Sequence, residues 1–392
     1  MHSYARYISV AIALFVKREY DLAIIGCGIV GLMIAYELAL ISAYNKDRSE
    51  KRISCICIDK ENGIAKHASS RNSGVIHSGI HAKPNTLKAR LCVKGNKLMY
   101  KLCSTLNIPY RRGGMLIVAN SNDEEKALSE LERRARANSV EYEIVHRDRI
   151  KVLEPYAKAS IGVYVPSAGI TDPYAIAYAV HNKALENGIE FMFNSKVTRI
   201  DECNGMFKLI VNNDKHKQTV SATIVINSAG LHADEIAMLV GLNRYKVYPC
   251  LGEYYIIKGK PYLVNSLIYP VPTFDYKGIG IHLTKRLDNS ISIGPNAVYL
   301  KSKDEVYTSG MDEFYKHASM LVEGVSKEDL VYGYSGVRAR LVGYGSKEEA
   351  DFVIEEYPHN FIHLLGIESP GFTSSPAIAK YVLEMLKDRL VI

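Results

Sequence analysis

The feature that most constrains this chain is "YDLAIIGCGIVGLMIAYELAL", residues 20–40. "DLAII" is a short apolar run suited to a parallel strand buried on both faces. It leads into Gly26-x-Gly28-x-x-Gly31 and then an amphipathic helix expected from about Ile29 to Ala43. In this turn Gly26 permits the sharp bend and Gly28 lets a pyrophosphate approach the backbone. Gly31 lets the helix pack closely on the strand, and the helix N-terminus faces the phosphates. A lone GxGxxG says little, but here the strand precedes it and the helix follows it. The unit should close on a second strand whose terminal acid binds a ribose diol. "RISCICIDKE" supplies that strand, with Asp59 at its tip, and the polar stretch "YNKDRSEKR" reads as a long surface loop before it. The expected fold is therefore α/β, with a Rossmann-like dinucleotide-binding domain.

Length extends the picture. At 392 residues the chain suits two domains better than one. Apolar residues make up 47% and charged residues 23%, enough for a large core and unlike a disordered chain. The net charge of +7 reads as a solvated surface or as attraction for an anionic substrate or membrane surface. The basic residues are scattered with no nucleic-acid motif, so nucleic acid is not expected as a partner. The seven cysteines suit neither a zinc site nor a disulfide framework, so no metal is expected. Cys55 and Cys57 should share one side of a strand, and the compartment reads as reducing and cytoplasmic. "YISVAIALFV" near the start is too short to span a bilayer. It reads as a frayed extension or short helix over residues 1–18, with a peripheral anchor at the inner membrane face as the alternative.

The choice between NAD and FAD rests on the rest of the chain. There is no second GxGxxG and no C-x4-C pair, as a flavoprotein fed by NAD(P)H or a disulfide reductase would show. If FAD is the cofactor, a small substrate reduces it and electrons leave to oxygen, a quinone or a protein.

The stretch "ASSRNSGVIHSGIHAKPNTLKARLCVKGN" from residue 68 gathers glycines, imidazoles and cations without one acidic residue. After an N-terminal GxGxxG it resembles the D-amino-acid-oxidase-type superfamily of FAD-dependent oxidoreductases, and within it the L-2-hydroxyglutarate dehydrogenases and oxidases. "IYPVP", "GIGIHLTKRLDNSISIGPNAV", "INSAGLHADEIA", "YSGVRARL" and "GIESPGFTSSPAIA" carry the same resemblance. The last two segments also resemble FAD-dependent glycerol-3-phosphate dehydrogenases. His81-Ala82 stands where family members often have an aromatic pair, and Arg71 where many have histidine.

The resemblance implies a glutathione-reductase-type FAD domain from 19–96, 168–243 and 330–392. A discontinuous substrate domain with a mixed or antiparallel sheet would come from 97–167 and 244–329. Ser69, Ser70, Arg71 and Asn72 would line the pyrophosphate and flavin. Val197 would meet the adenine, and Ala229 and Gly230 would let the chain pass close to the cofactor. A helix starting near Ser374–Pro376 would aim its N-terminus at the flavin, making Gly371, Phe372, Thr373 and Ser374 cofactor contacts. Arg338 would hold the substrate anion, with Arg340 expected on the opposite strand face. A second anion would need a second cation, for which Lys83 and one of Lys285 and Arg286 are expected at the pocket mouth. Alcohol oxidation also needs a proton acceptor, and His77, His81 and His282 are the candidates. His77 has the further reading of a covalent flavin link.

The function so implied is FAD-dependent oxidation of a small L-2-hydroxy acid such as L-2-hydroxyglutarate. Glycerol-3-phosphate oxidation comes second and amine oxidation third. A catalytically silent FAD-bound subunit is the reading from a different class.

Overall fold

The computed structural model describes residues 19–47, 53–213, 216–272, 280–346 and 348–390. The expected N-terminal extension, with its membrane-anchor alternative, lies outside the described residues. Among the described residues no helix is long and apolar enough to cross a membrane.

The first strand, Glu19–Ile25, pairs in parallel with Cys55–Ile58 on one side and Lys217–Asn227 on the other. Glu190–Met192 and Phe361–Leu365 extend the parallel sheet at its two ends. Its strands alternate between two cores. Leu22, Ile24, Cys55 and Cys57 belong to one, and Tyr20, Ala23, Ile25, Ile56 and Ile58 to the other. Burial on both faces explains the apolar runs Leu22–Ile25 and Cys55–Ile58. Cys55 and Cys57 do share a side, and no disulfide forms among the described residues.

The helix Ile29–Asp47 runs longer than expected and is not amphipathic. Leu32, Met33, Ile34, Ala35, Leu38 and Ala39 are all fully buried. The reason is packing: the helix lies against both Pro173–Glu186 and Gly371–Leu390. A fourth helix, Leu87–Thr105, joins the layer, capped by Thr86, whose hydroxyl accepts from the Ala89 amide. It crosses Gly371–Leu390 so closely that a Cβ on Gly95 would stand 2.3 Å from the Thr373 carbonyl oxygen.

The second large sheet is mixed. Leu267–Pro270 runs parallel to Met115–Ala119, and the remaining pairs are antiparallel. Its two faces are also both covered. Leu116, Val118, Ile268 and Leu283 face the helix Met311–Leu321 through Phe314. Met115, Ile117, Leu267 and Tyr269 face the helix Asn122–Ala137 through Leu128, Leu131 and Ala135. Ser121 caps that last helix, its side chain accepting from the Glu124 amide.

Among the described residues two strands pair outside their expected segments: Tyr110–Arg111 joins Gly169–Thr171 in a small third sheet, and Leu330–Arg340 joins the mixed sheet. That strand pairs with Tyr248–Ile257 from Leu330 to Arg340, inside the second sheet. We therefore propose moving the last domain boundary from residue 330 to about residue 340.

Candidate active site

A cavity of about 610 Å³ opens where the parallel strands end and the mixed sheet begins. Ile25, Ile58 and Leu364 border it from the first sheet, and Tyr254, His282 and Arg338 from the second.

Its first end is made by the glycine turn. Gly26 has φ +106°, a left-handed conformation, and a Cβ there would stand 2.5 Å from the Ser228 carbonyl oxygen. A Cβ on Gly31 would stand 2.1 Å from the Gly26 carbonyl oxygen, so helix and turn touch at that point. Gly28 differs: a Cβ there meets only Ser69 Oγ, at 3.0 Å, and the residue lines the cavity. Asp59 fastens the turn. One carboxylate oxygen accepts from the Cys27 amide at 2.6 Å and the other from the Glu61 amide at 2.8 Å. Burial is the largest influence on this carboxyl and raises its pKa, against the two amides. Ser69 Oγ accepts from the Ile29 amide at 2.9 Å, bringing the segment after Asp59 over the helix start.

Arg71, Asn72, Val197, Ala229 and Gly230, the expected cofactor contacts, line the cavity. The Asn72 amide group is engaged within its own turn, accepting from Gly74 and donating to the Ala68 and Ser69 carbonyls. Ser70 departs from expectation. Its hydroxyl donates to the Ala65 carbonyl at 2.6 Å, which turns it into the loop and off the cavity wall. The terminal helix starts at Gly371, earlier than expected, so Gly371 and Phe372 reach the cavity. Thr373 and Ser374 fall inside the first turn, fully buried against Gly95. Thr373 instead ties two segments together. Its hydroxyl accepts from the His77 amide at 2.9 Å and donates to the Val75 carbonyl at 3.1 Å.

The second end brings the three candidate histidines into one cavity. Burial lowers the pKa of His77 to about 4, and those of His81 and His282 to about 3. The imidazoles also disfavour one another's charging: His81 responds to His77 and His282, and His282 to His77. All three are neutral at pH 7, as a proton acceptor must be.

Their nitrogens are differently placed. His282 stacks on Tyr269 with ring centroids 3.9 Å apart, and its Nδ1 faces the Gly280 carbonyl at 3.3 Å. Its Nε2 is buried without a partner. Nε2 of His81 is sealed in the same way. Neither ring nitrogen of His77 is sealed, and its main chain is held on both sides, by Thr373 and by the Asn96 side chain at 3.0 Å.

Arg338 rises from the Leu330–Arg340 strand into the cavity. Three main-chain carbonyls hold its guanidinium: Cys250 at 3.4 Å, Leu251 at 2.9 Å, and Asn296. Asn296 is set in turn by the fully buried Glu253, whose amide donates to the Asn296 side chain at 2.9 Å. Among the described residues Arg338 makes no ion pair. Arg340 does not face away as expected. Residues i and i+2 of a strand share a face, so both arginines line the cavity. Arg340 lies 3.4 Å from Glu368, which also meets Lys88 at 3.4 Å. Burial pushes the Glu368 carboxyl up, but Lys88, Arg340 and Arg338 together hold it below its ordinary value.

The expected second cations do not reach the cavity. Lys83 is exposed on the turn before Thr86. The Lys285 amine donates to the Pro261 carbonyl, and Arg286 lies over the Tyr334 ring at 5.6 Å. Lys88, which lies in the stretch from residue 68, and Arg134, which no motif of the sequence marks, line the cavity instead, as do Lys60, Lys66 and Lys196. A signal for Arg134 existed: it lies three residues from Leu131 and next to Ala135, at the margin of the helix's buried face. Among the described residues no group of histidine, cysteine or carboxylate side chains could hold a metal ion.

Residues 21–385 match the family described as "FAD dependent oxidoreductase". The chain is 33% identical over 377 residues to a glycerol 3-phosphate dehydrogenase of Caloramator mitchellensis, covering 94% of this chain and 74% of that protein. It is 31% identical over 428 residues to the mitochondrial L-2-hydroxyglutarate dehydrogenase of Nematostella vectensis, covering 96% and 92%. Among solved structures it resembles the dithionite-reduced L-α-glycerophosphate oxidase of Mycoplasma pneumoniae with FAD bound. The TM-score is 0.84 and the identity 24%, with 95% of each chain covered.

Proposed function

The chain belongs to the family of FAD-dependent oxidoreductases, and from that premise we propose that it oxidises a small L-2-hydroxy acid, L-2-hydroxyglutarate first among them. The observation that carries this reading is Arg338. It is a guanidinium held by main-chain carbonyls, without a carboxylate partner among the described residues, beside three neutral imidazoles. Such a fork suits a substrate carboxylate.

The cavity fits the cofactor. The cradle above Gly28, the Asp59 carboxylate and the Val197 turn suit the dinucleotide half, and the start of the Gly371–Leu390 helix suits the ring system. When bound, FAD supplies the acceptor for the hydride from the alcohol carbon. Arg338 binds and orients the carboxylate. His77 takes the hydroxyl proton at a ring nitrogen, because neither of its nitrogens is sealed and its main chain is fixed. His282 orients by stacking, since its Nδ1 is engaged and its Nε2 sealed. The amides at the start of the Gly371–Leu390 helix favour negative charge in front of them. Electrons leave to a quinone, a protein or oxygen.

A second reading is oxidation of sn-glycerol 3-phosphate, favoured by the 33% identity to a glycerol 3-phosphate dehydrogenase. That substrate also pairs an alcohol with an anion, so Arg338 serves both. Stopped-flow bleaching of the flavin under nitrogen decides between them. L-2-Hydroxyglutarate should reduce the enzyme faster than the D form, L-lactate or sn-glycerol 3-phosphate. Rapid bleaching by glycerol 3-phosphate alone moves the enzyme to the second reading, and bleaching by none of the four sinks both.

A further inference from the structure

We propose that Arg134 is the receptor for a second substrate anion, and that Glu349 is a resident carboxylate which the substrate displaces from it. The inference rests on the dicarboxylate reading above and names the residue that would make it selective.

The order of groups along the cavity wall comes first. Arg134 donates from Nη1 to the His81 carbonyl at 2.7 Å. The His81 ring meets Tyr269 at 5.8 Å, and Tyr269 stacks on His282 at 3.9 Å. His282 feels the charge of Arg338, and His81 that of Arg134. Arg134 is therefore fixed at the His81 side of the imidazole group, and Arg338 lines the same cavity. A substrate anchored at Arg338, with its hydroxyl at His77, extends its far end toward Arg134. A neutral end, such as the terminal hydroxymethyl of a glycerol ester, has no use for a cation there.

The second observation is how Arg134 is partnered. Glu130, one helical turn away, lies 2.9 Å from Nε, a normal charge-assisted distance. Glu349 lies 3.4 Å from Nη1, outside that range. Glu130 belongs to the same helix and stays with its arginine. Glu349 comes from the irregular segment between the Leu330–Arg340 and Val353–Glu356 strands. That segment is pinned nearby, where Asp351 accepts from the Leu87 and Lys88 amides at 2.7 and 2.8 Å. The Glu349 side chain keeps 23% of its surface exposed, against 8% for Arg134, and both residues line the cavity. A carboxylate held loosely on a buried guanidinium occupies the place that a substrate carboxylate would take. With Glu130 it balances the buried charge of Arg134 in the free enzyme. It also sets a threshold, because a ligand must bind Arg134 better than Glu349 does.

The test uses FAD-loaded enzyme and ligands that it does not oxidise. Glutarate and butyrate, the di- and monocarboxylate of similar length, are titrated while the flavin absorbance is followed. Wild type should bind glutarate more tightly than butyrate. Arg134→Lys should shrink that preference, and Arg134→Ala should lower it by about 10- to 100-fold. Glu349→Gln should increase it several-fold, because the competing charge is gone. Glu349→Gln keeps the assay decisive if Arg134→Ala fails to retain FAD. Equal binding of the two acids by wild type overturns the proposal. So does a glutarate preference unmoved by Glu349→Gln and Arg134→Lys. Arg134-dependent glutarate selectivity without oxidation of L-2-hydroxyglutarate upholds the anion site and rejects the substrate reading.

Discussion

At the end of the cavity beneath Gly26, Gly28 and Gly31, the wall is a main-chain turn. At the end beneath His282, the wall is made of side chains from at least four separate segments: His77, His81, Arg134, His282 and Arg338. The first end tolerates no added atoms at Gly26 and Gly31, where Cβ groups would stand 2.5 and 2.1 Å from main-chain oxygens. The second end is governed by charge, because its groups are imidazoles and guanidiniums that share one cavity. Steric substitutions should therefore act at the first end and electrostatic ones at the second.

The largest expected effect tests the backbone end. Gly28→Val places side-chain atoms in the cradle and should abolish FAD retention, seen as loss of the yellow colour after gel filtration. A variant that keeps its flavin would erase the distinction between the two ends. Next comes His77→Gln, which should lower kcat by about 10² to 10⁴-fold while flavin content stays near wild type. If His282→Gln shows the larger kcat loss, the proton acceptor has been placed on the wrong ring. Arg338→Ala should lower kcat/KM by about two orders of magnitude, with partial recovery in Arg338→Lys because the fork is lost.

The two ends also differ in how they were legible in the sequence. The glycine turn, its strand and Asp59 are contiguous or nearly so, and each has one physical reason to be what it is. That end could be read locally. The resemblance brought Arg338 and the three histidines to one region, and they share one cavity. What could not be read was which cation faces inward. Lys83, Lys285 and Arg286 belong to the expected segments, yet Lys83 is exposed, Lys285 donates to the Pro261 carbonyl and Arg286 lies over the Tyr334 ring. Arg134 was hidden in a helix whose charge makes it look like pure surface, because its inward turn depends on packing against residues far away in sequence. Arg340 was misjudged for a simpler reason: alternation repeats every two residues, so the strand periodicity itself placed it beside Arg338.

A smaller effect separates the ends by pH. The unfolded chain protonates its histidines near pH 6.5, whereas the folded imidazoles resist protonation until about pH 4 for His77 and about pH 3 for His81 and His282. The unfolded state thus binds more protons through that interval, and stability should fall as pH drops from 6.5 toward 4. Melting temperatures across that range should show a shallower slope in His282→Gln. An unchanged slope would mean the imidazoles are not buried as described. The smallest contrast lies between neighbours. Ser69→Ala should weaken FAD retention, because its hydroxyl fixes the amide at the helix start. Ser70→Ala should cost only about 0.5–1.5 kcal/mol of stability, the loss of one hydrogen bond, and leave cofactor affinity alone.

The Thr373 hydroxyl joins the His77 amide across 296 positions of the chain. On a ribosome adding about 5–20 residues per second, the segment carrying His77 waits roughly 15 to 60 s for its partner to be made. The strand Phe361–Leu365, which completes the parallel sheet, is also synthesised late. The glycine turn therefore emerges early as an incomplete receptor, with its apolar strands lacking their final neighbours. Cofactor capture should follow synthesis of the Gly371–Leu390 helix, so a nascent chain arrested before it should hold no flavin and depend on chaperones to stay soluble.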